Sequence, residues 1–395
     1  MQTRARRVTL AGGSGRSVLA AASDALFPFF DTREAAQALR GVCREFAGAV
    51  ARHAWADGET VIMGSIAAWR ASFPRAKAAN ITMWEEERCH RTAPVTDADF
   101  VHFEGLQNLY MDSCRLVTDA AFVHLKGLRK LSMRNCNQLT ITDAAFASLK
   151  GIRTLFMSRC NQTAITDAAF THLVGIRELE IIKCNQATIT DAAFAHLKGI
   201  RKLNMCSCRQ ITDAAFEHLK GIHTLDFGYC RQITDAAFAH LKGIHTLGFG
   251  CCNQDEITDA AFVHLKGIYS LDMNFCDQHT ITDAAFANLE GIHTLDMCCC
   301  DQDTITVAAF AHLEGVHTLN MACCCTRDII TDATLAHLKG INTLSIAHCN
   351  LDAVTYAGFL PLLGASSVNM TGCSEFALEA ARATPLPVCE DDDWP

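Results

Sequence analysis

A unit of about two dozen residues repeats along most of this chain, and no other feature limits the possible fold so strongly. Twelve copies can be aligned, and they begin 22, 24 or 25 residues apart. Their first residues are Val95, Val117, Ile141, Ile165, Ile189, Ile211, Ile233, Ile257, Ile281, Ile305, Ile330 and Val354. A self-similar period of this length predicts a stack of structural units rather than one closed globular core.

Each copy has two halves with different hydrophobic periods, as the copy ITDAAFAHLKGIRKLNMCSCRQ from Ile189 shows. In its second half Leu203 and Met205 are two residues apart, so both point to one side of a strand. In its first half Phe194 and Leu197 are three apart, which puts them on one face of a short helix. One strand and one short helix cannot bury their apolar sides alone, whereas stacked copies can. The predicted fold class is therefore α/β: a solenoid with a curved parallel sheet and short helices outside it.

The ends of the predicted helices carry their own signals. Thr190 is a good N-cap, Asp191 favours the first turn through the helix dipole, and Gly199 suits the C-terminal stop. Because this Thr-Asp pair recurs in almost every copy, we assign each of these aspartates a local capping role and no catalytic one.

The pattern LxxLxMxxC followed by ITD resembles the cysteine-containing class of leucine-rich repeats, over residues 95–373. The resemblance implies that the cysteine turns inward after the strand and packs in the core. Twelve of the 21 cysteines occupy this position: Cys114, Cys136, Cys160, Cys184, Cys208, Cys230, Cys252, Cys276, Cys300, Cys324, Cys349 and Cys373. We interpret them as reduced core thiols rather than a disulfide framework, which predicts a cytoplasmic or nuclear location.

The same resemblance implies that the residues between the buried strand positions face a concave, partner-binding surface. The residues just before the strands predict a partner-binding row of Arg129, Arg153, Arg177, Arg201, His223, His245, Tyr269, His293 and His317. The basic end of this surface also includes Lys130, Arg134, Arg159, Lys183 and Lys202, and Glu178 and Glu180 partly offset its charge. The later half carries Asp226, Asp272, Asp296, Tyr229 and Phe275. An acidic or phosphorylated peptide suits the arginines, and an aromatic and histidine patch suits the rest of a protein target. The alternative is that near-identical copies repeat an exposed residue that binds nothing.

No catalytic motif is present: there is no glycine-rich phosphate loop, no GxSxG and no HExxH. We therefore expect a non-catalytic protein without a cofactor. The histidine row could bind metal or sense pH, and a cluster of Cys298, Cys299, Cys323 and Cys325 could hold zinc or form a disulfide. Paired CxxC motifs are absent there, so we expect no metal site and leave the role of this cluster open.

Residues 18–60 resemble an F-box. The resemblance depends on Leu26, Phe27 and Phe30 before Asp31, then on Leu39, Val42, Cys43, Phe46, Val50 and Trp55. It implies a small helical module of about three helices that binds the Skp1-like adaptor of a cullin ubiquitin ligase, through Leu26, Phe27, Phe30, Leu39, Val42, Cys43 and Phe46. The family's usual Leu-Pro opening is replaced by Val18-Leu19-Ala20. The alternative is a helical cap over the open end of the solenoid.

The remaining segments complete the expected organisation. We expect residues 1–17 to be a disordered basic leader, with a mitochondrial transit peptide as the alternative. We expect residues 61–94 to form a junction and N-terminal cap of the solenoid. Residues 374–395 are expected to form a C-terminal cap and an acidic tail. The formal charge of −9 argues against nucleic acid as a partner, and no apolar run is long enough to cross a bilayer. We expect a substrate receptor of an SCF-type ligase that is monomeric outside its complex. The alternatives are a stand-alone repeat scaffold and, third, an enzyme or metal protein built on the His and Cys cluster.

Overall fold

A computed structural model describes residues 44–83, 94–324 and 329–389 of the chain. Within these ranges, fourteen strands form a single parallel sheet, and their order in the sheet is their order along the chain. Each strand has three residues except the last, which has two. The strands are β1 Ala78–Asn80, β2 Asn108–Tyr110, β3 Lys130–Ser132, β4 Thr154–Phe156, β5 Glu178–Glu180, β6 Lys202–Asn204, β7 Thr224–Asp226, β8 Thr246–Gly248, β9 Ser270–Asp272, β10 Thr294–Asp296, β11 Thr318–Asn320, β12 Thr343–Ser345, β13 Ser367–Asn369 and β14 Val388–Cys389. The predicted α/β solenoid is confirmed.

Short helices connect successive strands, and in several copies an α-helical turn continues as a 3-10 turn. The α-helices are Arg44–Arg52, Ile66–Ser72, Asp119–Phe122, Asp143–Phe146, Asp167–Phe170, Asp235–Phe238, Asp259–Phe262, Asp283–Phe286, Val307–Phe310, Asp332–His337, Tyr356–Phe359 and Glu375–Arg382. The 3-10 helices are Asp97–Phe103, Val123–Leu125, Ala147–Leu149, Thr171–Leu173, Asp191–His196, Asp213–Leu219, Val263–Leu265, Ala311–Leu313 and Leu360–Leu362. None of the described helices has the length and apolar character that a bilayer-spanning segment needs.

The core lies between the sheet and the helices. In one copy, Phe216 and Leu219 from the helix meet Ile222 and Leu225 from the strand side, and all four are at most 3% exposed. The strands pair in register, so equivalent leucines stand side by side along the sheet, as Leu131 does beside Leu155. Gly199 ends its helical turn with a φ of 82°, in the left-handed region that glycine occupies without strain. The repeat thus builds one continuous core by stacking.

The twelve repeat cysteines turn inward as the sequence predicts. Eleven of them are buried, and Cys373, in the last copy, is half-buried. Eleven of these thiols donate to a backbone carbonyl of the preceding copy; Cys184 Sγ, for example, lies 3.2 Å from the Met157 oxygen. In the first copy, Cys114 donates to the Ile81 carbonyl, next to β1. Burial raises the pKa of Cys184 to about 12. These groups are therefore neutral thiols that link one copy to the next.

The Thr-Asp pair does more than cap its own helix, which corrects the purely local role expected for the aspartate. Thr258 Oγ1 does accept from the N–H of Ala260 at 3.1 Å, as an N-cap should. However, both oxygens of Asp235 accept from the next copy, from the Thr258 N–H at 2.8 Å and from the Thr258 hydroxyl at 2.7 Å. The same two bonds recur between most neighbouring copies, so this aspartate joins repeats together.

Two copies lack this aspartate: the last copy carries Tyr356 there, and the copy from Ile305 carries Val307. The threonine that follows Val307 one copy later, Thr331, caps its helix by accepting from the Thr334 N–H. A valine side chain offers this threonine no oxygen acceptor. The link returns one copy later, where Asp332 accepts from the Thr355 N–H at 2.8 Å. The link to the next threonine is therefore made by the aspartate side chain.

Non-repeat segments cover both ends of the described sheet. At the start, Trp55, Ile62 and Phe73 are buried, Trp69 meets Phe103 of the first copy edge to face, and β1 extends the sheet. At the other end, the helix Glu375–Arg382 buries three apolar side chains and β14 pairs with β13. The sequence indicates the C-terminal helix, but it contains no repeat signal for β1 or β14.

Candidate protein-binding face

The side of the sheet away from the helices is the candidate site, and we call it the strand face. It is formed by the residue just before each strand and by the first and third residues of the strand, because the central residue is buried. The residues just before the strands form what we call the leading row. Its backbone is continuous: the Arg153 N–H donates to the Arg129 carbonyl at 2.8 Å, and the Arg177 N–H to the Arg153 carbonyl at 2.9 Å. All nine predicted partner-binding residues lie in this row.

Four arginines occupy the first part of the leading row: Arg129, Arg153, Arg177 and Arg201. All are exposed, and neighbouring strands place them about 4.8 Å apart at the backbone. None of them pairs with a carboxylate in the part of the chain that the structure describes, although the Arg153 guanidinium donates to the Gly175 carbonyl at 2.9 Å. This end of the row offers closely spaced guanidinium groups on a rigid backbone.

Five aromatic rings occupy the next part of the leading row, and they stack face to face. The centroids of His223 and His245 are 4.5 Å apart and those of His245 and Tyr269 are 4.6 Å apart. Tyr269 to His293 and His293 to His317 are both 4.4 Å. Each histidine holds its ring with Nδ1 about 3 Å from the hydroxyl of the next threonine, as at Thr224. The rings form one preorganised, polarisable aromatic strip.

Aspartates follow the ring strip in the third strand position: Asp226, Asp272 and Asp296. Burial raises the pKa of Asp272. The nearby charges of Asp296 and Asp226 raise it further, whereas the hydrogen bond from the Asn274 N–H lowers it. Gly248 leaves room for this acidic row, since a Cβ there would lie 3.2 Å from the Asp226 carboxyl carbon. The ring half of the strand face is therefore bordered by negative charge, in contrast to the arginine half.

Arg134 does not belong to the free basic surface, which corrects the sequence-based interpretation. Its guanidinium binds both oxygens of Glu180, with Nε–Oε1 at 2.6 Å and Nη2–Oε2 at 2.7 Å, and it lies 4.5 Å from the centroid of Phe156. Burial alone would raise the pKa of Glu180, but hydrogen bonds from Arg134 and Ser158 outweigh it and lower that pKa. Glu178 is paired as well, with Lys202 at 3.2 Å. The charges beside the arginine row thus neutralise each other within the face.

Most of the predicted adaptor-binding residues, namely Leu26, Phe27, Phe30, Leu39, Val42 and Cys43, lie outside the described residues. Phe46 belongs to the helix Arg44–Arg52. Farther along the F-box-like segment, Val50 is fully buried and Trp55 is 2% exposed. The Trp55 indole donates to the Val50 carbonyl at 2.8 Å, and its ring meets Phe73 edge to face. The last part of this segment therefore packs on the junction that leads into the first repeat.

Comparison with protein families agrees with this geometry. A family model described as a BspA-type leucine-rich repeat region matches in six copies, over residues 97–223 and 187–317. The chain belongs to the BspA-type leucine-rich repeat family. The LxxLxMxxC pattern resembles the cysteine-containing class, and the leucine-rich repeat is common to both. No curated protein sequence matches the chain.

Solved leucine-rich repeat structures share the fold. A chain of the Toll–Spätzle complex from Drosophila has a TM-score of 0.57 and 14% identity over 79% of this chain and 45% of its own length. An internalin from Listeria monocytogenes has a TM-score of 0.55 and 17% identity, over 75% and 81%. A chain of the Rad7 and Elc1 complex from yeast has a TM-score of 0.50 and 15% identity, over 75% and 84%. The present chain thus spans less than half of the Toll-complex chain.

In this BspA-type repeat array the sequence locates the leading row but not its internal contacts. The ring stacking, the Arg134–Glu180 pair and the Asp–Thr links all join residues that are 20 or more positions apart. A row of glutamines was also missed: Gln162 is buried and its amide donates to the Cys136 carbonyl at 3.0 Å. The regular Asn-Gln after many of the repeat cysteines is the signal that would have indicated it.

Proposed function

We propose that this chain is a non-catalytic recognition subunit that holds a target protein on its strand face. The observation that supports this most strongly is the leading row, where four exposed arginines are followed by five stacked rings on one hydrogen-bonded backbone. Rigid, solvent-facing side chains in a fixed order lose little entropy when a partner binds. Leucine-rich repeat surfaces of this kind are suited to extended protein contacts.

The charges of the two halves suggest what the target presents. The arginine half fits an acidic or phosphorylated segment, because guanidinium groups bind carboxylates and phosphates through paired hydrogen bonds. The ring half, bordered by Asp226, Asp272 and Asp296, fits apolar groups accompanied by basic residues. A target segment with an acidic end and a basic, apolar end would match both halves in one orientation.

The first experiment measures binding of a fluorescent peptide rich in phosphoserine and glutamate to the full chain by anisotropy. We expect Arg153→Glu with Arg177→Glu to weaken binding by at least about tenfold, since a lost charge-assisted hydrogen bond costs about 1.5–3 kcal/mol. Arg209→Glu, an exposed arginine outside the leading row, is the matched control and should leave the affinity nearly unchanged. Equal affinity of the double variant and the control would overturn the proposed face.

As the finer part of the same proposal, the chain is the substrate receptor of an SCF-type ubiquitin ligase in the cytoplasm or nucleus. The F-box-like residues Leu26 to Phe46 would bind a Skp1-like adaptor, and the strand face would hold the target near the ligase, which raises its effective concentration. The resemblance of residues 18–60 to an F-box supports this. So do the reduced core cysteines, which suit a reducing compartment. The yeast Rad7 and Elc1 complex contains a similar fold in a two-protein assembly.

A stand-alone repeat scaffold is the second candidate, favoured by the burial of Val50 and Trp55 against the junction that leads into the first repeat. Binding of the full chain to a purified Skp1-type adaptor separates the two. The ligase receptor should bind, and Leu39→Asp with Val42→Asp should abolish binding while the unfolding temperature of the repeats stays the same. A folded wild type that does not bind the adaptor would leave the scaffold as the function.

A further inference from the structure

Three cysteine thiols, separate from the twelve core cysteines, meet just beyond the carboxyl ends of β10 and β11, beside the strand face. Cys298, Cys299 and Cys323 are half-buried, and their sulfur atoms all lie within 4.8 Å of one another. The Sγ atoms of Cys298 and Cys299 are 3.5 Å apart. The adjacent core thiols of Cys300 and Cys324 instead donate to backbone carbonyls of the preceding copy. The three half-buried thiols are therefore a separate group. Cys325, which the sequence adds to this cluster, lies outside the described residues.

The backbone holds these three cysteines in place without any metal. Cys299 and Cys323 occupy the same position of successive copies, both with a left-handed φ, of 57° and 58°. The Cys299 N–H donates to the Ala322 carbonyl at 2.9 Å, and the Cys298 N–H donates to Asp296 Oδ1 at 3.0 Å. Their spacing is thus set by the repeat, so little rearrangement is needed to bring the sulfurs together.

The fold itself does not require cysteine at this position. The equivalent residue in other copies is, for example, Ser113, Asn135, Arg159, Tyr229 or Cys251, each with a positive φ near 60°. A left-handed residue is costly unless it is glycine or asparagine, and cysteine has no special preference for this conformation. Two cysteines at this strained position in consecutive copies, with a third beside them, need an explanation other than packing.

The geometry suits a soft metal ion. Sulfur ligands at the zinc–thiolate distance of about 2.3 Å stand about 4 Å apart around one ion, which the observed separations allow. Thiolates select soft ions such as zinc and cuprous copper over calcium or magnesium. The carboxylate of Asp296, two residues before Cys298, adds negative charge that favours a bound cation. Its second oxygen accepts from the Asn320 amide at 3.1 Å, which fixes the carboxylate in place.

We propose that Cys298, Cys299 and Cys323 form a three-thiolate site for one thiophilic metal ion beside the strand face, a function beyond target recognition. On binding, each thiol releases its proton to solvent while the metal gives up water ligands and forms three metal–sulfur bonds, with no change in oxidation state. Because metal binding to thiols releases protons, the affinity rises with pH. A fourth coordination position would face solvent, next to the surface proposed to receive the target.

The test uses the full chain, metal-stripped and kept reduced with a phosphine reductant, and titrated with Cd²⁺. The readouts are the ultraviolet thiolate-to-metal charge-transfer band and the bound metal measured by native mass spectrometry. We expect one tight equivalent of Cd²⁺, which Zn²⁺ displaces. Cys298→Ser with Cys323→Ser should weaken this binding by at least about 100-fold, because loss of even an outer-shell partner costs about 10–100-fold.

The matched control is Cys206→Ser with Cys251→Ser, which removes two half-buried cysteines that lie outside the cluster. This control should keep the tight equivalent, and melting curves of both variants establish that they are folded. Absence of a charge-transfer band in the reduced wild type would overturn the site. So would a tight equivalent that persists in the Cys298 and Cys323 variant.

Discussion

The buried side of each repeat is nearly constant from copy to copy, whereas the strand face varies, although the same strands form both. On the buried side, Phe194, Phe216 and Phe238 occupy the same place in three successive copies and are fully buried. On the strand face, the same three copies carry Arg201, His223 and His245, and their chemistry changes from basic to aromatic. Packing tolerates almost no variation in the core, whereas an exposed row can change in blocks without harming the fold. This difference is why we propose the face, and not the core, as the place for function.

The largest effect should come from the core. Phe216→Ala removes a fully buried ring that meets Phe227 edge to face at 5.4 Å. We expect the free energy of unfolding to fall by about 3–5 kcal/mol, measured by urea denaturation. Val263→Ala removes a side chain that is 58% exposed and should change stability by less than about 0.5 kcal/mol. Similar losses for the two variants would contradict the division between core and surface.

The second largest loss of stability should come from breaking a link between copies. Asp235→Ala leaves the N–H and the hydroxyl of Thr258 without their acceptor, so we expect a loss of about 1–3 kcal/mol in the free energy of unfolding. Asp255→Ala, at an exposed position of the same copy, should be close to neutral. If the two substitutions cost the same, the aspartate would have only the weak local role expected from sequence.

On the strand face, the Arg134–Glu180 pair should contribute about 1 kcal/mol, since it is only partly buried. Its contribution depends on pH with a definite sign. The pKa of Glu180 is lowered in the folded state, so the stabilisation is complete above the unfolded value of about 4.3 and is lost as the pH falls through the folded value. Melting temperatures of wild type and Glu180→Gln should therefore differ at pH 7 and converge in strong acid. A difference that stays constant with pH would contradict the charged pair.

The smallest expected effect is a gain, and not a loss, in the free energy of unfolding. Burial raises the pKa of Asp272, so its ionised form opposes folding at neutral pH. Asp272→Asn should raise the stability at pH 7 by less than about 1 kcal/mol. The gain should shrink below the unfolded value of about 3.9, where aspartate is protonated in both states. Thermal melts of the two proteins at pH 7 and pH 3 measure this, and a loss of stability at pH 7 would show that the charge is needed in place.

The sequence predicts the parts of the molecule that depend on period alone. The alternation of Leu203 and Met205 and the position of Cys208 follow from one copy repeated twelve times, as does the leading row. Contacts between copies are a different matter, because they depend on the register of neighbouring strands. Arg134 and Glu180 are 46 residues apart in the chain, and their side chains meet across the intervening strand β4. Strands β1 and β14 were missed because they join the sheet by backbone pairing and carry no copy of the repeat.

The central claim is that the arginine half of the leading row selects an acidic partner, and a charge exchange tests it most directly. The wild type and the Arg153→Glu, Arg177→Glu variant are each measured against an acidic phosphopeptide and against a peptide with lysine at the same positions. We predict that the wild type prefers the acidic peptide and that the variant reverses this preference while its melting temperature is unchanged. A variant that remains folded and keeps the wild-type preference would contradict the claim.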